Sequence, residues 1–200
     1  MAIQINGNGT ITGISAGGLP AGTVTSATLA SGVGGKVLQV INNVATDVIS
    51  LTNQQSWTVV PGTDQNGTGS AFALTVTPAS ATSKFLITFQ LKYAGTNNDV
   101  SGFRWQRGST ALTKATNTGN RVAVGATGNY EGNNSNNISP TIAYQILLDS
   151  PNTTSQIIYA PYYWKYHSDT AYLNRSVRDT EGSTYDQRCT SELTLMEIAA

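Results

Sequence analysis

The chain has 200 residues, a size that fits one sizeable β module with an appendage better than two independent cores. Only 11% of the residues are charged, against roughly 25% in an ordinary globular domain, and 11 basic residues balance 11 acidic ones. This composition argues against a site for nucleic acid or for an anionic membrane surface, because both need concentrated positive charge.

The first segment, residues 1–35, contains no charged and no aromatic side chain and cannot build a core alone. Its isoleucines alternate or nearly alternate with polar residues, and an Asn-Gly run that tolerates positive φ lies between them, so we predict a small hairpin. Such a segment is either disordered or completes its packing by strand addition on another chain, and the isoleucine spacing favours docking. The residues expected to contact the partner are Ile3, Ile5, Ile11, Ile14 and Leu19.

From residue 36 onward the sequence is a succession of strand-like runs, each rich in β-branched or aromatic residues and bounded by Gly, Pro or Asn. The strongest pattern has apolar side chains at every odd position from Phe85 to Tyr93, which is typical of a half-buried antiparallel strand. The predicted strands are, in chain order, 36–41, 56–60, 70–77, 84–93, 102–107, 141–148, 155–166 and 190–198.

The fold predicted from these runs is all-β, because no apolar stripe of helical period and length appears. Pro161 interrupts the run 155–166, so we expect that strand to bend or to lie at an edge. Residues 115–139, rich in Gly and Asn, are predicted to form one long surface loop. Short strands without an internal repeat favour a jelly-roll-like antiparallel β-sandwich, residues 36–200, preceded by an extended N-terminal arm, residues 1–35.

The titratable residues predict no active site. His167 is the only histidine, and next to Lys165 and Asp169 we expect it to be a surface or interface residue rather than a general base. The carboxylates are scattered singly, and the sequence has no G-x-S-x-G motif and no phosphate-binding glycine loop before a helix. We therefore expect no enzyme and no cofactor, with a hydrolase as the remaining enzymatic alternative. Cys189 is expected to be a small core residue on a late strand.

One loose cluster of carboxylates has two interpretations. Asp179, Glu181 and Asp186 have the ligand type of a hard cation but lack the spacing of a calcium loop. Arg178 and Arg188 flank them, which favours a solvated, locally ion-paired loop. We therefore predict no metal site.

The aromatic residues also have two interpretations. They stack on sugar rings, or they pack in the core and in subunit interfaces, which we favour for the strand residues. For Tyr130, which lies in the Gly- and Asn-rich loop, both interpretations stay open. The residues in question are Trp57, Trp105, Tyr130, Tyr159, Tyr162, Tyr163, Trp164, Tyr166 and Tyr172.

Several segments, in their order over nearly the whole chain, resemble the fibre and surface-decoration proteins of tailed bacteriophages, particularly those of cyanobacteria. These segments are MAIQINGNGTITGISAGGLPAG, KVLQV, SKFLI, LDSPNTTS with the long aromatic strand and YLNRS that follow it, and LTLMEIA. The resemblance implies a homotrimer whose C-terminal jelly roll is similar to tumour-necrosis-factor and C1q-like heads, with its aromatic faces about the threefold axis. An assembly of this kind would stabilise a low-charge β module that has no disulfides.

The function implied by this resemblance is that of a virion structural protein. The arm docks on capsid or tail proteins, and the domain serves as capsid decoration, head fibre or short tail fibre, in the last case attaching to a host surface glycan. The sequence has no secretory signal and no apolar stretch of about 18 residues, so we expect assembly in the host cytoplasm without membrane insertion. The alternative from another class is a carbohydrate-binding module without a structural role, with Tyr130 and the strand aromatics as its platform.

Overall fold

A computed structural model describes residues 36–95, 100–113, 115–128 and 139–200 in full, and the backbone of residues 4–5 and 11–12. The chain divides into two compact units, Met1–Lys36 and Val37–Ala200. The predicted contact residues Ile3, Ile14 and Leu19 and the candidate ligand residue Tyr130 lie outside the described residues.

The described residues form strands and no helix, and all the strand pairs are antiparallel, so the all-β prediction is confirmed. The strands are β1 (Gln4–Ile5), β2 (Ile11–Thr12), β3 (Val37–Ala45), β4 (Ile49–Leu51), β5 (Thr58–Val59), β6 (Leu74–Val76), β7 (Lys84–Ala94), β8 (Ser101–Arg107), β9 (Thr110–Leu112), β10 (Ala126–Thr127), β11 (Thr141–Asp149), β12 (Ile157–Lys165), β13 (Ala171–Leu173) and β14 (Ser191–Ile198).

The first unit contains the predicted hairpin. Strands β1 and β2 pair antiparallel, with Gln4 opposite Thr12 and Ile5 opposite Ile11. The Asn-Gly run lies between them in sequence, as expected for a connection that needs residues tolerant of positive φ. The hairpin prediction is therefore confirmed at the level of backbone pairing.

The first sheet of the second unit is built around β7. Strand β11 runs along one edge of β7, and β14 followed by β13 runs along the other. Strand β3 then pairs with β14, and β4 pairs with β13. The first long strand of the unit and its last strand are therefore neighbours in the sheet.

The second sheet is built around β12, which pairs with β8 on one side and with β5 and β6 on the other. Pro161 lies inside β12 opposite Trp105, so the prediction of an edge position for this proline is wrong. Its carbonyl oxygen accepts a hydrogen bond from Val60 N, on the side where β5 ends at Val59 and β6 begins at Leu74. The missing N–H of the proline thus falls in the gap between two short strands.

The two sheets pack face to face through aromatic side chains, which confirms the predicted antiparallel β-sandwich. Phe89 of the first sheet contacts Phe103 and Trp105 of the second, with ring centroids 6.5 and 5.4 Å apart. Phe85 likewise contacts Tyr159 at 5.9 Å. The odd-numbered residues of β7 from Phe85 to Tyr93 are all buried, so the predicted inward face is confirmed as well.

Two other predictions need correction. Cys189 is only half-buried and lies before β14 rather than on a strand, where its N–H donates to Asn174 O. The region 115–139 is not one long loop, because β10 lies within it and pairs with Gly102 and Phe103 of β8. A two-residue strand is too short to produce a periodic pattern, so it could not be predicted from the sequence.

Candidate interaction surfaces

The outward side of the β3–β14–β7–β11 sheet carries a surface that we call the apolar face. Along β11 every second side chain points outward. These four residues, Ile142, Tyr144, Ile146 and Leu148, are between 51% and 54% exposed. Across the sheet from Leu148, the register places Leu86, Met196 and Val40 in one row on the same side. The exposed members of the apolar face are Val37, Val40, Val44, Ile142, Tyr144, Ile146, Leu148 and Met196.

The apolar face is large compared with the single exposed apolar residues that are normal on a protein surface. Its eight exposed members are each between 36% and 58% accessible to solvent, so a partner that covers them would remove apolar surface from water. Glu192 and Lys92 point to the same side and carry opposite charges, so the face has no strong charge of one sign that would repel a second copy.

In the part of the chain that the structure describes, strand β11 is the outer strand of its sheet, and the segment that contains β10 packs beside part of it. Within the described residues it pairs with β7 alone, so its other row of backbone N–H and C=O groups faces away from the sheet. A long edge strand with an apolar outer side is a site at which chains associate unless something covers it. The sequence predicted β11 but not this property, because the run TIAYQILL is apolar at both parities and does not show which side is buried.

The outward side of the β8–β12–β5 sheet carries a second surface, which we call the aromatic face. Tyr162 and Trp164 point outward from β12, and Tyr166 follows them at 51% exposure. Trp164 and Tyr166 are neighbours, with ring centroids 6.3 Å apart. Trp57 directly precedes β5 and, by continuation of the register, lies beside Trp164.

The remaining strand aromatics have the packing role that the sequence favoured. Trp105, Tyr159 and Tyr163 are buried in the core. Tyr172 lies under the guanidinium group of Arg175, whose Cζ is 3.9 Å from the ring centroid. The division between core and surface follows strand parity, since residues 159 and 163 point inward from β12 whereas 162 and 164 point outward.

Arg104 is the charged member of the aromatic face. It lies opposite Tyr162, and its Cζ stacks 3.9 Å above the centroid of the Trp57 ring. Its Nε is buried without a hydrogen-bond acceptor, and no carboxylate among the described residues forms an ion pair with it. Burial lowers the pKa of Arg104 from its usual value. The sequence analysis did not single out this residue, because the stacking depends on pairing between distant strands.

The carboxylate cluster near the C-terminus is an ion-paired loop, as the sequence favoured. Arg178 pairs with Asp186 at 3.0 Å, and Arg188 pairs with Asp179 at 2.8 Å. Burial by itself would raise the pKa of Asp186, but the hydrogen bonds from Arg178 and from a backbone N–H hold it below its ordinary value. Glu181 is exposed and takes no part in these ion pairs. The part of the chain that the structure describes holds no group of three or more His, Cys, Asp or Glu suited to a metal ion.

His167 lies half-buried in the turn after β12. Its carbonyl oxygen and that of Asp169 accept hydrogen bonds from Lys165 Nζ, and Lys165 is only 1% exposed. The histidine ring makes an edge contact with the Tyr166 ring at 5.0 Å between centroids. The buried lysine therefore anchors this turn, and the turn borders the aromatic face.

Asp64 is an isolated carboxylate held by its own turn. It accepts hydrogen bonds from the backbone N–H groups of Thr68 at 3.0 Å and Asn66 at 2.9 Å, and from Thr75 Oγ1 at 3.1 Å. These hydrogen bonds, led by the one from Thr68, lower the pKa of Asp64 to about 2. Because the carboxylate oxygens already accept protein donors, the arrangement stabilises the turn.

The chain matches no protein-family model, and no curated protein is significantly similar to it. In the portion of the chain that is described, no helix is long and apolar enough to cross a membrane. The two faces are therefore the features from which a function is argued.

Proposed function

We propose that the chain is a structural protein of a virus particle, without catalytic activity and without a bound cofactor or metal. Residues 1–35 dock on a capsid or tail protein, and residues 36–200 are displayed at the virion surface as a homotrimer. The protein is assembled into the particle in the host cytoplasm. Its role is capsid decoration as a head fibre or attachment as a short tail fibre.

The apolar face is the observation that carries this proposal. A sandwich displayed alone would leave the eight exposed apolar residues of this face in contact with water, whereas self-association removes them from solvent. Strand β11, the outer strand of its sheet within the described residues, carries four of them, so one contact covers both the strand and its apolar side chains. A second copy is the fitting occupant, because the face is nearly neutral and every copy of the chain carries it.

The arm supports attachment to a different protein. Residues 1–35 have no aromatic and no charged side chain, and the β1–β2 pair within them is only two residues long on each strand. An isolated two-stranded hairpin is at best marginally stable in water. Strand addition on a capsid or tail protein would supply the missing packing.

Deletion of residues 1–31 tests the attachment. We expect the shortened protein to remain a folded oligomer by circular dichroism and light scattering, and to disappear from purified particles. In the full chain, replacing Ile5 and Ile11 with Asp should have the same effect, whereas replacing Thr10 and Thr12 with Ser should preserve incorporation. Particles that still contain the shortened protein would place the anchor elsewhere in the chain.

A carbohydrate-binding module is the second candidate function, and the aromatic face favours it. Outward Trp and Tyr rings provide flat apolar surfaces on which the C–H faces of sugar rings stack. Tyr130 stays a candidate member of this site. Replacement of Tyr130 with Ala, followed by glycan-array binding, measures its contribution, and unchanged binding would remove Tyr130 from the site.

A further inference from the structure

The aromatic face combines flat rings with an arginine that forms no ion pair among the described residues. In the ion-paired loop, Arg178 and Arg188 each bind a carboxylate, and Arg107 pairs with Asp149 at 3.4 Å. Arg104 is different, because it stacks on Trp57 instead and its Nε lacks an acceptor. Partial removal of a guanidinium group from water costs free energy when no anion is bound to it. An anion bound at Arg104 would offset that cost.

The stacking of Arg104 determines how an anion would approach. Trp57 covers one flat side of the guanidinium group. The N–H groups of a guanidinium lie in its plane, so a ring on its flat side leaves the terminal Nη groups for hydrogen bonds, whereas the Nε of Arg104 is buried. A carboxylate is the anion whose two oxygens match that edge.

The rings of Trp164 and Tyr166 lie beside this charge. Arg104 is opposite Tyr162, and Trp164 is two residues further along β12, which places the two positions about 7–8 Å apart on one side of the sheet. Val124 packs directly on the backbone of Gly102, so the segment before β10 covers the β8 side of this row. Beyond this covered part, Tyr166 is exposed and Tyr162 and Trp164 are half-buried.

We propose that the aromatic face binds a carboxylated sugar, with the pyranose ring stacked on Trp164 and Tyr166 and the carboxylate on Arg104. The ligand class is thus the uronic or sialic acid units of an acidic polysaccharide. This inference rests on the proposed function, in which the domain is displayed at the particle surface. It names the class of ligand that the displayed domain binds. Binding depends on the ring and on the charge together, so removal of either one weakens it.

The test uses the purified full chain and follows tryptophan fluorescence and calorimetry with trigalacturonate, trimannuronate and sialyllactose. We expect at least one acid sugar to saturate a site, and its methyl ester to bind at least tenfold more weakly. Trp164→Ala and Arg104→Gln should each weaken binding at least tenfold, while Trp164→Phe keeps most of the affinity. Thermal unfolding checks that each variant remains folded.

Matched controls remove the same groups elsewhere on the surface. Tyr185 is 70% exposed, and Arg188 lies in the ion-paired loop, so Tyr185→Ala and Arg188→Gln should leave sugar binding unchanged. The proposal is overturned if none of the three acids binds, if acid and ester bind equally, or if the Trp164 and Arg104 variants bind as the natural chain does. Particle incorporation is measured separately, so its loss with sugar binding intact contradicts only the virion role.

Discussion

The two outward faces of the sandwich have the same architecture and different chemistry. The apolar face carries exposed apolar side chains on β3, β11 and β14, with Thr, Gln, Glu and Lys side chains between them on β7 and β14. The aromatic face consists of Trp and Tyr rings around an arginine without a carboxylate partner. A broad aliphatic surface suits a second protein, because its contribution to association grows with buried area. Rings beside a single charge suit a small ligand, because a few oriented contacts determine its specificity.

The largest effect on stability is expected from a substitution in the core between the two sheets, which lies beneath both faces. Phe89→Ala deletes a buried ring that contacts Phe103 and Trp105 across the sandwich, so we expect the free energy of unfolding to fall by about 3–5 kcal/mol. Chemical denaturation measures this value. Thr88→Ala, on the outward side of the same strand, is the control and should change it by less than about 0.5 kcal/mol. Equal effects of the two substitutions would contradict the assigned inward side of β7.

The next effect separates the two faces. Ile146→Lys places a charge among the outward apolar residues of β11, within the apolar face. We expect self-association to weaken by about 100-fold, or about 3 kcal/mol, because that charge would be buried unpaired. Ile158→Lys is the matched control, since Ile158 is 48% exposed but points outward from the other sheet. Sedimentation velocity should detect dissociation only for the first variant. If only Ile158→Lys dissociated the oligomer, the subunit interface would lie on the aromatic face instead of the apolar face.

The smallest effect concerns Glu197, a fully buried carboxylate on the inward side of β14. Burial alone would raise its pKa, but hydrogen bonds, among them those from Gln39 Nε2 and from Ala79 N at 2.7 Å, hold the pKa of Glu197 below its ordinary value. A lowered pKa in the folded state means that the carboxylate stabilises the fold fully above the unfolded value of about 4.3. This contribution declines below that value and is lost as the pH falls through the lower folded-state pKa.

We therefore expect Glu197→Gln to lower the free energy of unfolding at pH 7 by about 1–2 kcal/mol, because the glutamine amide meets the donor of Gln39. The difference from the natural chain should shrink at pH 3, where the carboxyl group of the natural chain is increasingly protonated. Urea unfolding at both pH values measures it. Glu192→Gln, exposed on the outward side of the same strand, serves as the control. A pH-independent difference for Glu197→Gln would contradict the carboxylate role.

The long strands could be predicted from the sequence because their alternation is local information. The inward side of β7 follows directly from apolar residues at every second position, and these residues are buried as expected. The short strands β4, β9, β10 and β13 gave no comparable pattern, because two or three residues do not show a period. Pro161 misled the prediction, because the gap between β5 and β6 depends on the pairing of distant segments.

The interaction surfaces were less predictable for a related reason. The sequence identified the outward aromatics as either packing residues or a sugar platform, but only strand parity and register distinguish Tyr162 and Trp164 from Tyr159 and Tyr163. Arg104 stacks on the ring of Trp57, which lies 47 positions earlier in the chain, so a local pattern does not reveal the contact. The apolar face is spread over β3, β11 and β14, and none of them alone contains enough of it to be noticed.

The position of β14 between β3 and β7 has a consequence for biosynthesis. This strand leaves the ribosome after every other strand of the sandwich, although it occupies an inner position in its sheet. Until it arrives, β3 has no partner in that sheet and one side of β7 stays open along most of its length. Pairing of segments so distant in sequence is slow, and the growing chain exposes unpaired strand edges meanwhile. The edges of β3 and β7 are thus open to pairing with other chains until β14 has been synthesised.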